Sequence, residues 1–180
     1  MPAWISHALS LLAEGWRDAL PILLAALLHE AGHGLACRML GVPLRFFRPI
    51  AGGAVIGYDA SRISYTREAW IAAAGPLANL AGAILCFPGD CSRGRALFGI
   101  SCLALALFNF LPIRNLDGGT FLAAVLQNRM DIRRCDRICS ALSAACTVAV
   151  WIGAVSVQLR CGGNLSLLLI SVYLLTRIGT

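Results

Sequence analysis

The chain has 180 residues, of which 58% are hydrophobic and 13% are charged, and its mean hydropathy is +0.75. Soluble globular domains average about 45–50% apolar and about 25% charged residues, so this composition excludes an ordinary soluble domain and indicates a membrane protein. All 15 basic residues are arginines that lie between apolar runs rather than on one basic face. The formal net charge of +6 therefore does not indicate a nucleic-acid partner.

The apolar runs predict an all-α polytopic membrane protein that forms a single domain over residues 1–180. Residues 1–16 are amphipathic, which is typical of a helix that lies in the membrane interface. About five transmembrane helices are expected. The runs that predict them are Asp18–Leu40, Arg67–Phe87, Arg95–Pro112, Cys135–Leu159 and Leu165–Ile178. A polar break after Pro112 leads into a short helix that is expected to end near Gln127.

The distribution of arginine predicts the orientation of these helices. The side that carries the 41–66 loop, the 113–134 loop and the C-terminal end holds 11 of the 15 arginines, and the other side holds 4. Cytoplasmic loops carry an excess of basic residues. We therefore expect a multi-pass protein of the cell membrane with the arginine-rich side in the cytoplasm.

The residues His29-Glu30-Ala31-Gly32-His33 form an H-E-x-x-H motif within the first predicted span. The i, i+4 spacing puts both imidazoles on one helix face, where they can share one zinc ion at about 2.0–2.1 Å. Glu30 is then placed to act as the general base on a water molecule. A hydrogen-bonded polar pair that stabilises helix packing is the alternative, but packing does not require this spacing.

A hydrolytic zinc site needs a third protein ligand. Asp117 is the best candidate, because it is the only acidic residue between Asp90 and Asp131 and lies where an apolar run breaks at Pro112. A turn-forming Asp at a helix end is the alternative role. Cys37, one turn beyond His33, is a rival ligand, although a small buried cysteine is the better interpretation there.

Two further features of the sequence support weaker predictions. Gly75, Asn79 and Gly82 fall on one face of the second span, where small residues allow close approach to the H-E-x-x-H helix, and Asn79 could hydrogen-bond across that contact. The chain has eight cysteines and no C-x-x-C pair, and only Cys91 and Cys161, in loops on the non-cytoplasmic side, suggest a disulfide.

The sequence resembles the site-2 family of intramembrane zinc metalloproteases. The resemblance rests on His29–His33, on Ala74-Gly-Pro-Leu-Ala-Asn79, and on Asn109-x-x-Pro112-x-x-x-x-Asp117-Gly118, in the family's order. Within the family the chain is most similar to the stage IV sporulation branch, which processes a pro-sigma factor. The closest points are Phe47-Arg-Pro-Ile-Ala-Gly-Gly-Ala and the Asn-Phe-Leu-Pro-Ile that begins at Asn109.

This resemblance implies a three-helix catalytic core within residues 18–128, followed by two additional transmembrane helices within 135–178. It implies one zinc per chain held by His29, His33 and Asp117, with Glu30 as general base and Asn109 on the substrate or oxyanion side. The stretch Val42–Tyr58 resembles the family's membrane-embedded β-hairpin-like loop, with an ordinary cytoplasmic loop as the alternative. Expected partners are a membrane-associated protein substrate, membrane inhibitors or regulators, and the lipid bilayer.

A non-proteolytic role is the rival interpretation. The chain could be a zinc-binding pseudo-protease that acts as a scaffold, or a metal transporter. The intact Glu30 argues against the first, and a transporter would be expected to carry several intramembrane ionisable sites along a path. This sequence concentrates them at one place.

Overall fold

The computed structural model describes residues 3–43, 46–50, 53–57, 63–86 and 92–161. These residues form five α-helices and two β-strands. In chain order they are α1 (Ala3–Met39), β1 (Phe46–Ile50), β2 (Gly53–Gly57), α2 (Tyr65–Cys86), α3 (Arg93–Asn109), α4 (Asp117–Gln127) and α5 (Ile132–Cys161). The described part of the chain is therefore mainly helical, with one antiparallel pair of strands.

Three of the helices are long and apolar enough to span a membrane: Arg17–Met39 of α1, the whole of α2, and Ile132–Val157 of α5. The helix expected over Arg95–Pro112 is present as α3, but its 17 residues reach only about 26 Å, less than the roughly 30 Å of a hydrocarbon core. The run Leu165–Ile178 lies outside the described residues, as do Cys91 and the side chain of Cys161. Helix α4 ends at Gln127, which confirms the short helix expected there.

The surfaces of the three long helices are apolar, as a lipid environment requires. Large hydrophobic side chains are exposed along each of them; examples are Leu23, Leu35, Ile84, Leu85, Val148 and Ile152. Lipid tails are as apolar as these side chains, so their exposure costs nothing in a bilayer. The pattern is consistent with a membrane protein.

Helix α1 is continuous from Ala3 to Met39 and contains Pro21. The interfacial segment expected over residues 1–16 and the first span therefore belong to one helix. A proline inside a helix removes one backbone hydrogen bond and crowds the preceding turn. In α1 this occurs at the start of the apolar part, eight residues before His29.

The chain divides into two compact units. Unit 1 consists of Met1–Ile63 and Ala73–Phe108, and unit 2 consists of Ser64–Ala72 and Asn109–Thr180. In unit 1, the buried core is formed by Ala25, Ala83 and Cys102, with Leu28, Phe98, Leu103 and Leu105 packed against it. Small residues dominate the centre of this core, so the helix backbones that carry them come close together.

The end of α1 is closed by a Schellman motif. Gly41 has φ +66°, Val42 donates its N–H to the Cys37 carbonyl at 2.8 Å, and Gly41 donates to Arg38 at 3.3 Å. Cys37 and Val42, the two positions that make an apolar contact in this motif, are both buried. The chain then enters β1, which pairs antiparallel with β2 in the register Phe46↔Gly57 to Ile50↔Gly53, and β2 lies against α1.

In unit 2, α4 packs against α5, and one arginine ties the preceding turn to α5. Arg114 donates from its backbone N–H to the Ser143 hydroxyl at 3.1 Å and from its guanidinium to the Ser140 hydroxyl at 2.9 Å. The guanidinium also pairs with Asp136. Asp136, Ser140 and Ser143 follow one another at about one helical turn along α5. Together they fix the position of the chain segment around Arg114 along the α5 axis.

Replacing Gly41 with alanine tests the helix end. Gly41→Ala should lower the free energy of unfolding by about 1 kcal/mol, because a Cβ disfavours the left-handed backbone. A Cβ there would meet nothing within 4 Å, so the effect isolates the backbone conformation. The measurement is the midpoint of denaturant unfolding in detergent.

The control is Gly15→Ala in the body of α1, where a Cβ would also meet nothing within 4 Å. Alanine should stabilise that helix position by about 0.5–1 kcal/mol. Shifts of the same sign and size in the two variants would contradict the assigned role of Gly41.

Candidate functional site

Two imidazoles meet on one face of α1. His29 and His33 are one helical turn apart, and their Nε2 atoms are 3.2 Å from each other. The rings are edge to face, with centroids 4.8 Å apart. His29 is 8% exposed and His33 is half-buried. The spacing in the sequence therefore brings both Nε2 atoms to one point beside the helix.

This pair matches the donor geometry of a zinc ion. Two ligands at about 2.0–2.1 Å from a tetrahedral zinc lie roughly 3.3 Å apart, close to the observed 3.2 Å between the two Nε2 atoms. Neutral imidazole is also among the ligands that zinc prefers. The two histidines therefore fit a zinc ion in distance and in chemistry.

Asp117 is the first residue of α4. Its half-buried carboxylate lies in the first helical turn, where the helix dipole favours negative charge. His29, His33 and Asp117 carry the donor types of a metal site, and the role of Asp117 as third ligand stays a prediction. Cys37, the rival ligand, is buried in unit 1.

The start of α4 depends on two glycines after Asp117. A Cβ on Gly118 would collide with the backbone of Phe110 and Leu111, and a Cβ on Gly119 would collide with the Ile113 carbonyl. The Asp-Gly-Gly sequence is thus explained by close backbone approach within unit 2. Because α4 can begin only this near residues 110–113, the glycines position the Asp117 carboxylate.

Glu30 and Asn109 are the two predicted catalytic residues. Glu30 follows His29 on α1 and is half-buried, and Asn109 is the last residue of α3 and is also half-buried. Both side chains are therefore partly accessible to solvent or to a bound molecule. Their catalytic roles remain predictions.

Asn79 supports His29 from the neighbouring helix. Its side chain is fully buried, and its amide nitrogen lies 3.2 Å from Nδ1 of His29. The helix α2 reaches α1 closely here, because a Cβ on Gly75 would collide with the His33 ring and a Cβ on Gly32 would lie 2.6 Å from the Ala74 carbonyl. This confirms the close approach and the hydrogen bond expected from the small-residue face of α2.

The buried side-chain amide of Asn79 uses only its nitrogen in a hydrogen bond. Its Oδ1 has no hydrogen-bond partner in the described structure. A metal bound at Nε2 requires the imidazole proton to be on Nδ1, where it needs an acceptor. A half-turn of the amide, which leaves its shape unchanged, would let Oδ1 accept that proton. Asn79 can therefore select the tautomer of His29 that binds a metal.

In the sequence Arg114 contributes only to the arginine distribution, whereas in the structure it ties the turn before α4 to α5. The sequence does contain a signal for it. Asp136, Ser140 and Ser143 follow each other at i, i+4 and i+7 along α5, which is one polar stripe on a helix. Such a stripe in a transmembrane run indicates a polar partner, here Arg114.

Asn79→Leu should weaken zinc binding by about 10–100-fold, the usual cost of losing a partner that orients a ligating histidine. The physical reason is that Nδ1 of His29 would lose its buried partner, while the side-chain volume is nearly kept. The measurement is the dissociation constant for zinc, determined by competition with a chromophoric chelator.

The matched control is Thr147→Val, which also removes a fully buried polar group, in this case a hydroxyl that donates to the Ser143 carbonyl at 2.8 Å. This variant should keep the zinc affinity of the wild type. An unchanged zinc affinity in Asn79→Leu would refute the positioning role.

Comparison with known proteins gives the fold. No family model matches the sequence, and no curated protein matches it. Among solved structures, the chain is similar to the site-2 protease from Methanocaldococcus jannaschii, with a TM-score of 0.63 and 21% sequence identity over 86% of this chain and 72% of that one. At this identity the likeness establishes the fold, and the chain therefore has the fold of a site-2 protease.

Proposed function

We propose that this chain is an intramembrane zinc metalloendopeptidase of the site-2 protease type. The observation that carries the proposal is the pair of imidazoles with Nε2 atoms 3.2 Å apart, together with Glu30, the residue that follows His29 on α1. Asp117 is the proposed third ligand. Two histidines and a carboxylate are a ligand set of hydrolytic zinc sites, which keep a further position open. The likeness in fold to a site-2 protease supports the same conclusion.

Zinc, when bound, would supply Lewis-acid polarisation of a peptide carbonyl and acidification of water. The Glu30 carboxylate would accept the proton from the attacking water and deliver it to the departing amide nitrogen. The Asn109 side-chain amide would donate to the oxygen that becomes negative in the tetrahedral state. Asn79 would hold the imidazole of His29 in the tautomer that binds a metal.

A peptide bond within a membrane helix is shielded, because its carbonyl is hydrogen-bonded along the helix. The substrate must therefore unwind before cleavage. The antiparallel strands β1 and β2, of which β2 lies against α1, support a model in which the unwound substrate adds to a strand edge. In this proposal the strands lie within the membrane region.

The proposed substrate is a membrane-associated protein cleaved within or near its membrane segment. A pro-sigma factor is the first candidate, as in the sporulation branch that the sequence resembles, and membrane inhibitors or regulators are further partners. The arginine distribution supports a multi-pass protein of the cell membrane, with about five spans and the site toward the cytoplasm. Products would then be released where a transcription factor acts.

Glu30→Gln tests the proposed general base. The variant should bind zinc as the wild type does but lose activity by about 10²–10⁴-fold or more, because an amide cannot accept the proton. Cleavage is measured on a panel of single-span membrane substrates, including a membrane-tethered pro-sigma factor, co-expressed with the full chain. Zinc content is measured on the purified protein.

The matched control is Glu68→Gln, which makes the same change at another half-buried glutamate and should leave cleavage intact. Full activity of Glu30→Gln would refute the role of Glu30. Stoichiometric zinc in a wild-type chain that cleaves no substrate on the panel would favour a non-proteolytic zinc-binding protein.

Asp117→Ala tests the third ligand. Loss of a residue that only hydrogen-bonds to a metal ligand lowers metal affinity by about 10–100-fold. Asp117→Ala should lower zinc affinity by more than this, because the metal would keep only the two histidines. The measurement is again chelator competition, and zinc per chain is determined by elemental analysis.

The control is Asp131→Ala, which removes another aspartate beside a helix start, where Oδ2 accepts from the Arg133 N–H at 3.2 Å. It should cost about 1 kcal/mol of stability as a lost helix cap and leave zinc affinity unchanged. Equal zinc affinity in Asp117→Ala and the wild type would exclude Asp117 as a ligand.

A further inference from the structure

A cavity of about 330 Å³ in unit 1 lies where the apolar part of α1 and the helix α3 begin. Its lining consists of Arg17, Asp18, Arg93 and Gly94. None of these residues belongs to the proposed zinc site or takes part in the proposed chemistry. The volume falls in the range of roughly 300–1,000 Å³ that small-molecule sites occupy, so a ligand group of several polar atoms fits there.

Two guanidinium groups give this cavity a positive wall. Arg17 and Arg93 carry one positive charge each and Asp18 carries one negative charge, which leaves one net positive charge on the lining. Arg93 donates from Nη2 to Oδ2 of Asp18 at 2.6 Å, and this ion pair joins α3 to α1. A guanidinium has five N–H donors, so Arg93 keeps several of them for a ligand while Asp18 orients it.

The charge of the wall selects the kind of anion. Guanidinium groups bind phosphate oxygens through two parallel hydrogen bonds, a geometry that an ammonium cannot offer. The carboxylate of Asp18 repels a ligand with several negative charges, whereas a phosphodiester carries one, which matches the one net positive charge of the lining. The cavity therefore suits a singly charged phosphodiester better than a free phosphate dianion.

The position of the cavity along α1 selects the source of the phosphodiester. Arg17 is the first residue of the candidate span Arg17–Met39, so the cavity lies at the level where lipid headgroups meet the hydrocarbon core. Leu20 and Leu24 follow at i+3 and i+7, on the same helix face as Arg17, and both are exposed. The acyl chains of a lipid whose headgroup occupies the cavity would contact these side chains.

Membrane orientation does not account for the two arginines. Basic residues concentrate on the cytoplasmic side of membrane proteins, and the sequence predicts that Arg17 and Arg93 lie on the opposite side, which holds 4 of the 15 arginines. Two of those four nevertheless line one cavity. Binding of an anionic group explains this placement, since basic pockets between membrane helices bind lipid headgroups.

We propose that Arg17 and Arg93 bind the phosphodiester headgroup of one anionic glycerophospholipid per chain. The acyl chains lie along the exposed apolar face of α1, and Asp18 is a positioning residue that orients Arg93. The site is separate from the proposed zinc site, and the inference does not depend on the proposed proteolytic function.

The test is lipid binding by the purified full chain in detergent, measured by native mass spectrometry. Dioleoyl-phosphatidylglycerol, with one negative charge, should form a one-to-one adduct. Dioleoyl-phosphatidylcholine, whose quaternary ammonium cancels that charge, should bind more weakly. Arg17→Ala and Arg93→Ala should each weaken binding of phosphatidylglycerol by about fivefold or more, the contribution of one arginine near anionic lipid. Arg17→Ala keeps the ion pair of Arg93 with Asp18, so its result stands even if Arg93→Ala fails to fold.

The matched control is Arg95→Ala. This arginine lies two residues from Arg93, donates to the Leu85 carbonyl at 3.3 Å and does not line the cavity. The variant should bind phosphatidylglycerol as the wild type does. An equal loss of binding in Arg95→Ala and Arg17→Ala would overturn the proposal, because general positive charge would then be sufficient.

Three further outcomes would also overturn it: unchanged binding in Arg17→Ala, equal affinity of the wild type for the two lipids, and displacement of the lipid by an equal concentration of inorganic phosphate. The last result would assign the cavity to a soluble phosphate compound. Inorganic phosphate should leave the adduct intact, because it lacks the acyl chains that contact α1. The readout is lipid binding alone, so the result is independent of zinc and of cleavage.

Discussion

The structure depends on the His29 imidazole, a polar group that the apolar helix α1 must accommodate. His29 lies in the middle of the apolar part of α1 and is 8% exposed, where an imidazole without a partner is costly. Asn79 supplies that partner, and it can do so only because Gly75 and Gly32 let α2 approach α1. The small residues of α2 therefore serve more than packing. By allowing the Asn79–His29 hydrogen bond, they fix the orientation of the His29 ring.

A separate constraint acts in unit 2. The turn before α4 is held by hydrogen bonds and an ion pair from Arg114 to one polar stripe on α5, and the glycines after Asp117 remove the atoms that would block it. A metal ligand needs neighbours that hold it rigidly, because small displacements of a ligand weaken a metal site. Each unit thus has its own contacts that fix the position of the residues proposed as ligands.

Much of the fold could be predicted from periodicity and composition. The helices α1, α2, α3 and α5 correspond to the apolar runs predicted between residues 18 and 159, with ends that differ by up to three residues within the predicted runs, because a hydrophobic run in a membrane protein satisfies its backbone only as a helix. The pairing of β1 with β2 has no such local cause, and it depends on what the strands meet in space. The tie between Arg114 and α5 was equally hidden, since it joins positions 22 to 29 residues apart.

The sequence by itself determined the chemistry that the chain can offer. The spacing of His29, Glu30 and His33 fixes two imidazoles on one helix face, because the pitch of an α-helix leaves no other arrangement. The tertiary structure decided which residue supports them, because Asn79 of α2 contacts His29. Contacts of this kind follow from the packing of whole helices, which no local pattern of residues encodes.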